Sequence, residues 1–170
     1  MLNEAHPSPD SVCVVIPMYN AASTIEKTLA SLVLQTRQPE QVIVVDDGSS
    51  DDGAQRVRNF VAPFRLTLLQ QANQGPARAR NTGIFAAEET FIAFLDADDQ
   101  WHPQKLEMQL ALYDRLTAQG HSVGLIDCYQ LSVFSDGTQQ LEERRKCGNH
   151  TAECMRGKAI NGTYNVLVVR

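Results

Sequence analysis

Short apolar runs alternate along the chain with longer segments in which apolar residues recur at helical spacing. The apolar runs are rich in β-branched side chains and predict four strands, at Val12–Ile16, Gln41–Val45, Arg65–Leu69 and Thr90–Leu95. The segments between them predict four helices, at Ala22–Gln35, from the Ser49–Asp52 cap region to Val61, from Gly75-Pro76 through Ala87, and at Pro103–Ala118. Ser23 or Thr24 is the predicted N-cap of the first helix.

The apolar runs are continuous, whereas a strand with one solvated face would alternate apolar and polar residues. Continuous runs are typical of parallel strands that are covered on both faces, and strand–helix alternation predicts the α/β class. The predicted fold is therefore a Rossmann-like α/β sandwich with a mostly parallel central sheet and helices on both faces. Ligands of such sheets bind beyond the carboxyl ends of the strands, where Pro17–Asn20, Asp46-Asp47 and Asp96–Asp99 should meet.

The last third of the chain has a weaker pattern. Ser122–Phe134 is mostly strand-like, Ser135–Thr138 predicts a turn, and Asn165–Val169 predicts a final strand. The charged run Glu142–Lys146 is typical of a solvated helix face. We expect residues 1–10 to be a disordered lead-in and residues 11–170 to form one domain. Because the chain stops directly after an apolar run, we expect that domain to be truncated at its C-terminal end.

Composition narrows the class of protein. The chain has 170 residues, 43% of them hydrophobic and 21% charged, which suits one soluble domain with a substantial core. A net charge of −5 argues against a general nucleic-acid binder, which would carry a basic face. No apolar stretch approaches the ~20 residues that span a bilayer or forms a signal-peptide core. We therefore expect a cytoplasmic protein, which a segment outside this chain could tether to the inner face of the membrane.

The four cysteines predict no metal centre. Cys13 lies in an apolar run and is a typical small core residue. Cys147, His150 and Cys154 are close in sequence, but their spacing fits no common zinc finger, and distant Cys128 would have to be the fourth ligand. We expect ordinary reduced thiols.

Two of the predicted strands end in clusters of carboxylates. In FLDADD, residues 94–99, the side chains of Asp96, Asp98 and Asp99 would repel one another unless a cation lies among them. Mg²⁺ or Mn²⁺ fits, because such ions keep several waters and bind the oxygens of a substrate diphosphate. The alternative is that Asp98 or Asp99 merely caps the helix beginning near Pro103.

The second cluster is more ambiguous. Asp46 and Asp47 could belong to a tight turn and helix cap, or could accept hydrogen bonds from a ribose hydroxyl or a base N–H. Gly48 permits the sharp turn that either role needs. Arg78 and Arg80 follow on a helix that starts at the crevice, where arginine suits phosphate recognition. The alternative for each arginine is an exposed helix charge.

Taken together, four segments resemble the inverting family-two glycosyltransferases with the GT-A fold. They are VVIPMYN (14–20), VIVVDDGSSDD (42–52), NQGPARARNTGI (73–84) and FIAFLDADDQWHP (91–103), and their order and spacing also match. The resemblance covers about Val12 to Leu112. It implies a nucleotide-sugar donor, most often a UDP-sugar, bound with Mn²⁺ or Mg²⁺.

The resemblance also suggests which residues hold the donor. The candidates for the nucleotide-sugar are Pro17, Tyr19, Asn20, Asp46, Asp47, Arg78, Arg80 and Asp96. Asp96 and Asp98 match the DxD motif, in which the first acid faces the ribose and the last holds the metal. Asp99 is a rival metal ligand because this motif carries an extra acid.

The general base of the implied reaction is missing from the matching segments. In the family, a carboxylate takes the proton of the acceptor hydroxyl as that hydroxyl attacks the anomeric carbon, and the sugar configuration inverts. This carboxylate lies in an acidic motif beyond the strand that Asn165–Val169 resembles, so we expect it after Arg170. The other acids of the tail remain possible substitutes for this base, although none carries a matching motif: Asp127, Asp136, Glu142, Glu143 and Glu153.

Two alternatives to a glycosyltransferase stay open. A nucleotidyltransferase of similar architecture should have a glycine-rich and basic loop after its first strand, and PMYNAAST (17–24) has neither feature. A non-catalytic module that senses or scaffolds nucleotide-sugars is favoured by the missing base alone. The expected acceptor is a hydroxyl group of a glycan, a lipid-linked sugar or a protein.

Overall fold

The computed structural model describes residue 8 and residues 10–128, 130–133, 136–142 and 166–169. The strands are β1 (Val12–Met18), β2 (Gln41–Asp46), β3 (Arg65–Gln70), β4 (Phe91–Phe94), β5 (Leu125–Ile126), β6 (Gln130–Val133), β7 (Gln139–Glu142) and β8 (Leu167–Val169). The helices are α1 (Ile25–Val33), α2 (Gly53–Asn59), α3 (Pro76–Ala86) and α4 (Lys105–Ala118).

Six strands form one sheet in the order β3-β2-β1-β4-β8-β5. The first four are parallel neighbours, with Val15 of β1 aligned to Ile43 of β2 and to Phe94 of β4. The strand β8 pairs antiparallel with both β4 and β5, and β6 and β7 form a separate antiparallel hairpin. The predicted mostly parallel α/β sheet is therefore confirmed. Because β1 lies between β2 and β4, their carboxyl ends meet at one edge.

Both faces of the sheet are covered, as the continuous apolar runs predict. On one face, α1, α2 and α4 contribute the core side chains Ile25, Leu29, Leu32, Ala54, Val57, Leu106 and Leu110. On the other face, α3 packs through Ala79 against alternate residues of β1 and β2, among them Val15 and Ile43. Alternate side chains of each strand thus enter different halves of the core.

Two helices, α1 and α4, begin later than the sequence predicts. Residues 21–24 form a turn before α1. Thr24 is the N-cap residue, one of the two predicted, but its hydroxyl donates to the Ala21 carbonyl and makes no side-chain cap bond. The helix α4 begins at Lys105 with Gln104 as its N-cap residue, so the proposal that Asp98 or Asp99 caps this helix is wrong. A proline placed early in a turn fixes φ without requiring that the helix has already begun.

The prediction of one strand-like segment at Ser122–Phe134 is only partly correct. Its described residues contain β5 in the main sheet and β6 in the hairpin, with Asp127 and Cys128 between them. This segment contributes one strand to each of two sheets, a division that apolar periodicity alone cannot reveal. The zinc candidates Cys147, His150 and Cys154 lie outside the described residues, as do Glu143 and Glu153. No helix in the described ranges is long and apolar enough to cross a membrane.

Gly83 sets how closely α3 approaches the sheet. A Cβ atom at this position would lie 2.3 Å from Cγ1 and 3.1 Å from Cγ2 of Val15. Val15 is fully buried in the middle of β1 and β-branched, so its side chain has little freedom to move. The helix can pack at this distance only with glycine.

We expect Gly83→Ala to lower the free energy of unfolding by about 2 kcal/mol, because overpacking outweighs the better helix propensity of alanine. Urea unfolding measures this change. The exposed neighbour Asn81→Ala is the matched control and should leave stability almost unchanged. Combining Gly83→Ala with Val15→Ala should give less than the sum of the two single losses, and strict additivity would contradict the proposed contact.

Candidate functional site

A cleft of about 590 Å³ opens at the carboxyl edge of the parallel strands. Its four walls are the loop after β1, the loop after β2, the segment that leads into α3 together with the start of α3, and the turn after β4. The lining residues are Pro17, Met18, Tyr19, Asn20, Ala21, Ser23, Thr24, Asp47, Asn73, Gly75, Pro76, Ala79, Arg80, Asp96, Ala97 and Asp98. The structure therefore brings Pro17, Tyr19, Asn20, Asp47, Arg80, Asp96 and Asp98 from the predicted set together in one concavity.

The loop after β1 forms the first wall. Pro17 is buried at the end of β1, whereas Tyr19 is 55% exposed and supplies an aromatic surface that no core packing explains. Asn20 has φ of +50°, a left-handed conformation that asparagine tolerates better than most residues. We refer to residues 19–24 as the Tyr19 loop.

Asp47 joins the second wall to the third. Its carboxylate is buried and accepts three hydrogen bonds: Oδ1 from Gln71 Nε2 at 2.7 Å and Gln74 N at 2.9 Å, and Oδ2 from Gly75 N at 2.8 Å. These donors belong to residues 71–75, the β3–α3 loop. Asp47 thus lines the cleft and also fixes the loop opposite, a role that the sequence alone does not reveal.

Asp46 lies behind the cleft wall and does not line it. Its carboxylate accepts from Ser49 N at 3.0 Å and from Gln70 Nε2 at 2.9 Å. Burial by itself would raise the pKa of Asp46, but the hydrogen bonds from Ser49 and Gln70 outweigh it, and the pKa is lower than usual. Asp46 is therefore held ionised as an anchor of the turn that follows β2.

Gly48 allows the second and third walls to touch. It has φ of +77°, and a Cβ atom there would lie 2.9 Å from the backbone nitrogen of Asn73. A side chain would therefore be strained and would also push the β3–α3 loop away.

Arg80 and Asp96 form an ion pair inside the cleft. Arg80 NH2 lies 2.5 Å from Asp96 Oδ1, with side-chain exposures of 18% and 28%. The Nε of Arg80 is buried and has no hydrogen-bond partner among the residues that the structure describes. The hydrogen-bonded ion pair with Arg80 holds the Asp96 carboxylate in place.

Asp98 and Asp99 occupy different environments. Asp98 is exposed and lines the cleft, whereas Asp99 is half-buried and is not a lining residue. Burial, followed by the charges of Asp98 and Asp96, raises the pKa of Asp99. The excess of negative charge at this turn is what a cation would relieve.

The donor set fits a divalent ion that is held mainly by substrate. Within the described parts of the chain, no group of three or more histidine, cysteine, aspartate or glutamate side chains is arranged to hold a metal ion. Mg²⁺ and Mn²⁺ are commonly bound by one or two carboxylates together with water and phosphate oxygens. An exposed carboxylate at Asp98, beside an Asp96 already paired with Arg80, suits that mode.

Arg78 lies apart from the other predicted residues. It is exposed and lines a separate depression of about 240 Å³, together with Gln71, Gln74, Asn81, Thr82 and Phe85.

Among the possible substitutes for the general base, Asp127 and Asp136 are described and neither lines the cleft. Hydrogen bonds from Thr138 lower the pKa of Asp136, which makes it a weaker base. Glu142 ends β7.

Sequence reasoning missed the contribution of β3. The predicted strand ended at Leu69, whereas β3 continues to Gln70 and leads into Gln71, Asn73 and Gly75, which support or line the cleft. The rule that ligands bind at carboxyl strand ends applies to this strand as well, and it could have drawn attention to these residues.

Comparisons with known proteins find a family model and relatives that match most of this chain. The sequence model of the family described as Glycosyl transferase family 2 matches residues 13–165. The amylovoran biosynthesis glycosyltransferase AmsB of Erwinia amylovora is 39% identical over 134 residues, which cover 75% of this chain and 44% of AmsB.

Two solved structures share the fold. TarS from S. aureus, in complex with UDP-GlcNAc, has a TM-score of 0.59 and 33% identity over 63% of this chain and 32% of the TarS chain. The mannosyltransferase PcManGT from Pyrobaculum calidifontis, in complex with GDP-Man and Mn²⁺, has a TM-score of 0.59 and 31% identity over 72% of this chain and 37% of its own. This chain therefore spans less than half the length of each of these three proteins.

Proposed function

The chain belongs to glycosyl transferase family 2, and on that premise we propose that it is the donor-binding part of a metal-dependent, inverting glycosyltransferase that uses a UDP-sugar. The observation that carries the proposal is the cleft itself. It combines an exposed aromatic residue, Tyr19, a buried acceptor, Asp47, and an exposed carboxylate, Asp98, at the carboxyl edge of one sheet.

The three groups suit the three parts of a nucleotide-sugar. An exposed aromatic ring supports stacking of a planar base, and Asp47 retains acceptor capacity beyond its three hydrogen bonds. Asp96, fixed by Arg80, is available to accept from a ribose hydroxyl. Asp98 lies two residues after Asp96 in the same turn, so the diphosphate and its cation would lie beside it, next to the ribose. TarS was solved with UDP-GlcNAc and PcManGT with GDP-Man, so the identity of the donor's nucleobase requires a direct test.

In the proposed reaction, the acceptor oxygen bonds to the anomeric carbon as the bond to the diphosphate oxygen breaks. The bonding electron pair leaves with the diphosphate, and the hydroxyl proton passes to a carboxylate base. A bound Mn²⁺ or Mg²⁺ supplies Lewis-acid neutralisation of the leaving group, and Asp98, with Asp99 as the rival, would hold it. The described carboxylates of the cleft are Asp47, Asp96 and Asp98, all assigned to the donor or its cation. The base is therefore proposed to lie outside the described residues.

The remaining roles depend on the whole protein. The acceptor is proposed to be a glycan, a lipid-linked sugar or a protein, and the similarity to an amylovoran biosynthesis enzyme favours a role in polysaccharide biosynthesis for the cell envelope. The proposed location is the cytoplasm, with peripheral association at the inner face of the membrane. Arg78 is proposed to contact the donor only if the donor extends beyond the cleft.

Thermal unfolding with UDP, GDP, CDP and dTDP, each with Mn²⁺ or with EDTA, tests the donor site. A ligand that binds only the folded state raises the unfolding temperature. We expect UDP with Mn²⁺ to give the largest increase, and EDTA to remove most of it. A larger response to GDP would change the donor assignment. No response to any nucleotide with metal would contradict the proposed function.

A further inference from the structure

The segment after β2 touches the loops on both sides of it. Toward α3, it is fastened through Asp47 and the close approach at Gly48. Toward α1, it is fastened through residues that do not line the cleft: Ser49, Ser50 and Asp51. We call residues 47–52 the β2–α2 loop.

Asp51 makes the first contact with the Tyr19 loop. Its Oδ2 accepts from the backbone nitrogen of Ala22 at 2.8 Å, and its Oδ1 accepts from that of Gly53 at 3.1 Å. A Cβ atom at residue 53 would lie 3.0 Å from Asp51 Oδ1 and 3.5 Å from Ala22 N. The glycine therefore leaves room for a carboxylate that bridges α2 and the Tyr19 loop.

Ser49 and Ser50 make the second contact, at Asn20, which directly follows the exposed Tyr19. The backbone nitrogen of Asn20 donates to Ser49 Oγ at 2.9 Å, and the Asn20 side-chain oxygen accepts from Ser50 N at 2.9 Å. Both bonds hold Asn20, whose φ of +50° is an uncommon conformation for a residue other than glycine. The Tyr19 loop is thus fixed at two points, Asn20 and Ala22.

We propose that Asp51 and Ser49 are positioning residues for the donor nucleoside, which act by holding the Tyr19 loop in the conformation that forms the cleft. The inference rests on the proposed function and adds residues that the cleft geometry alone would leave out. Neither residue lines the cleft, so neither can contribute by direct contact there. Each supplies an acceptor to a backbone N–H of the Tyr19 loop, in which only Ala21 belongs to the hydrophobic core.

The physical reason is preorganisation. A loop that is already ordered before binding does not lose conformational freedom when the ligand arrives. Without these acceptors the Tyr19 loop would sample other conformations, and the competent fraction would fall. The loss should therefore concern the nucleoside, which meets the Tyr19 loop. It should spare the diphosphate and its cation, which depend on Asp98 across the cleft.

Calorimetric titration of the full chain, at a temperature where every variant is folded, separates these effects. The probes are UDP with Mn²⁺ and inorganic pyrophosphate with Mn²⁺. We expect Asp51→Ala to weaken UDP binding about ten-fold, as the loss of preorganisation predicts, and to leave pyrophosphate binding unchanged. Asp51→Asn keeps one acceptor oxygen and should fall between the wild type and Asp51→Ala.

Asp52→Ala is the matched control because it removes the same charge one residue away. Asp52 is exposed and pairs with Arg56 of its own helix, so this variant should bind UDP as the wild type does. Ser49→Ala removes a single hydroxyl and should weaken UDP binding in the same selective way. It keeps the test available if Asp51→Ala fails to fold.

Two outcomes would overturn the inference while leaving the proposed function intact. One is wild-type affinity for UDP in both Asp51→Ala and Ser49→Ala. The other is an equal loss of UDP and pyrophosphate binding, which would indicate general damage to the cleft. If the wild type itself binds no nucleoside diphosphate, the proposed function fails and this inference fails with it.

Discussion

Asp98→Asn is expected to remove the Mn²⁺-dependent part of UDP binding, with a loss of affinity of about 100-fold, or about 2.7 kcal/mol. The reason is position. The Asp98 carboxylate is exposed and lines the cleft, whereas the Asp96 carboxylate is already paired with Arg80. Asparagine keeps the size of the side chain and one acceptor oxygen but removes the charge, so binding in EDTA should change little. Titrations with Mn²⁺ and with EDTA measure the two components.

Asp99→Asn is the comparison that distinguishes the two rival ligands. Asp99 is half-buried and does not line the cleft, so its replacement should weaken Mn²⁺-dependent binding by a few-fold at most. Asp114→Asn, an exposed acid on α4, controls for the change of charge and should have no effect. A large loss in Asp99→Asn alone would transfer the ligand role to Asp99. A normal Mn²⁺ response in both variants would show that the acid cluster is not the metal site.

Lys105 is expected to make the protein more stable as the pH rises from 7 to 9.5. The side chain is buried at the start of α4, with Nζ 3.9 Å from the centre of the Trp101 ring and 2.8 Å from Gln109 Oε1. Burial lowers the pKa of Lys105 to about 8, although the charges of Cys128 and Asp127 oppose that shift. Neither the ring nor the amide oxygen compensates fully for the lost hydration of the ammonium group.

The direction follows from proton counting. In the unfolded chain Lys105 titrates near its ordinary value of 10.5, so between pH 8 and 10.5 the unfolded state binds more protons than the folded state. Stability therefore rises with pH across this window. Below pH 8 the lysine is charged in both states, and the cost of burying the charge is fully present. A shift of this size corresponds to a gain of about 2 kcal/mol between pH 7 and 9.5.

The contribution of Lys105 is isolated by comparing how the free energy of unfolding changes with pH in the wild type and in Lys105→Met. Lys105→Met should lose this 2 kcal/mol increment, whatever its stability at pH 7, because all other titrating groups are shared. Urea unfolding at several pH values gives the difference. Lys27→Met, at an exposed position on α1, should keep the wild-type slope. Equal slopes in the wild type and Lys105→Met would mean that Lys105 titrates normally in the folded protein.

The elements of the parallel sheet could be predicted because their signals are local. Continuous apolar runs such as Val42–Val45 become strands buried on both faces, and the helical spacing of Ile25, Leu29 and Leu32 gives α1 its core face. Helix starts were less accurate. A turn such as residues 21–24 has nearly the same composition as the first turn of a helix, and the choice between them depends on contacts made elsewhere in the chain.

The sequence by itself determined the α/β class, the family resemblance and the expected convergence of PMYN, DDGSSDD and FLDADD. Continuous apolar runs predict parallel strands, and the carboxyl ends of parallel strands lie at one edge of the sheet. Only the tertiary structure decided what each side chain does there. It separated Arg78 from Arg80, Asp98 from Asp99, and the lining Asp47 from the anchoring Asp46 and Asp51. The roles of Asp47 and Asp51 depend on the hydrogen-bond partners Gln74 and Ala22, which lie about thirty residues away and carry no local signal.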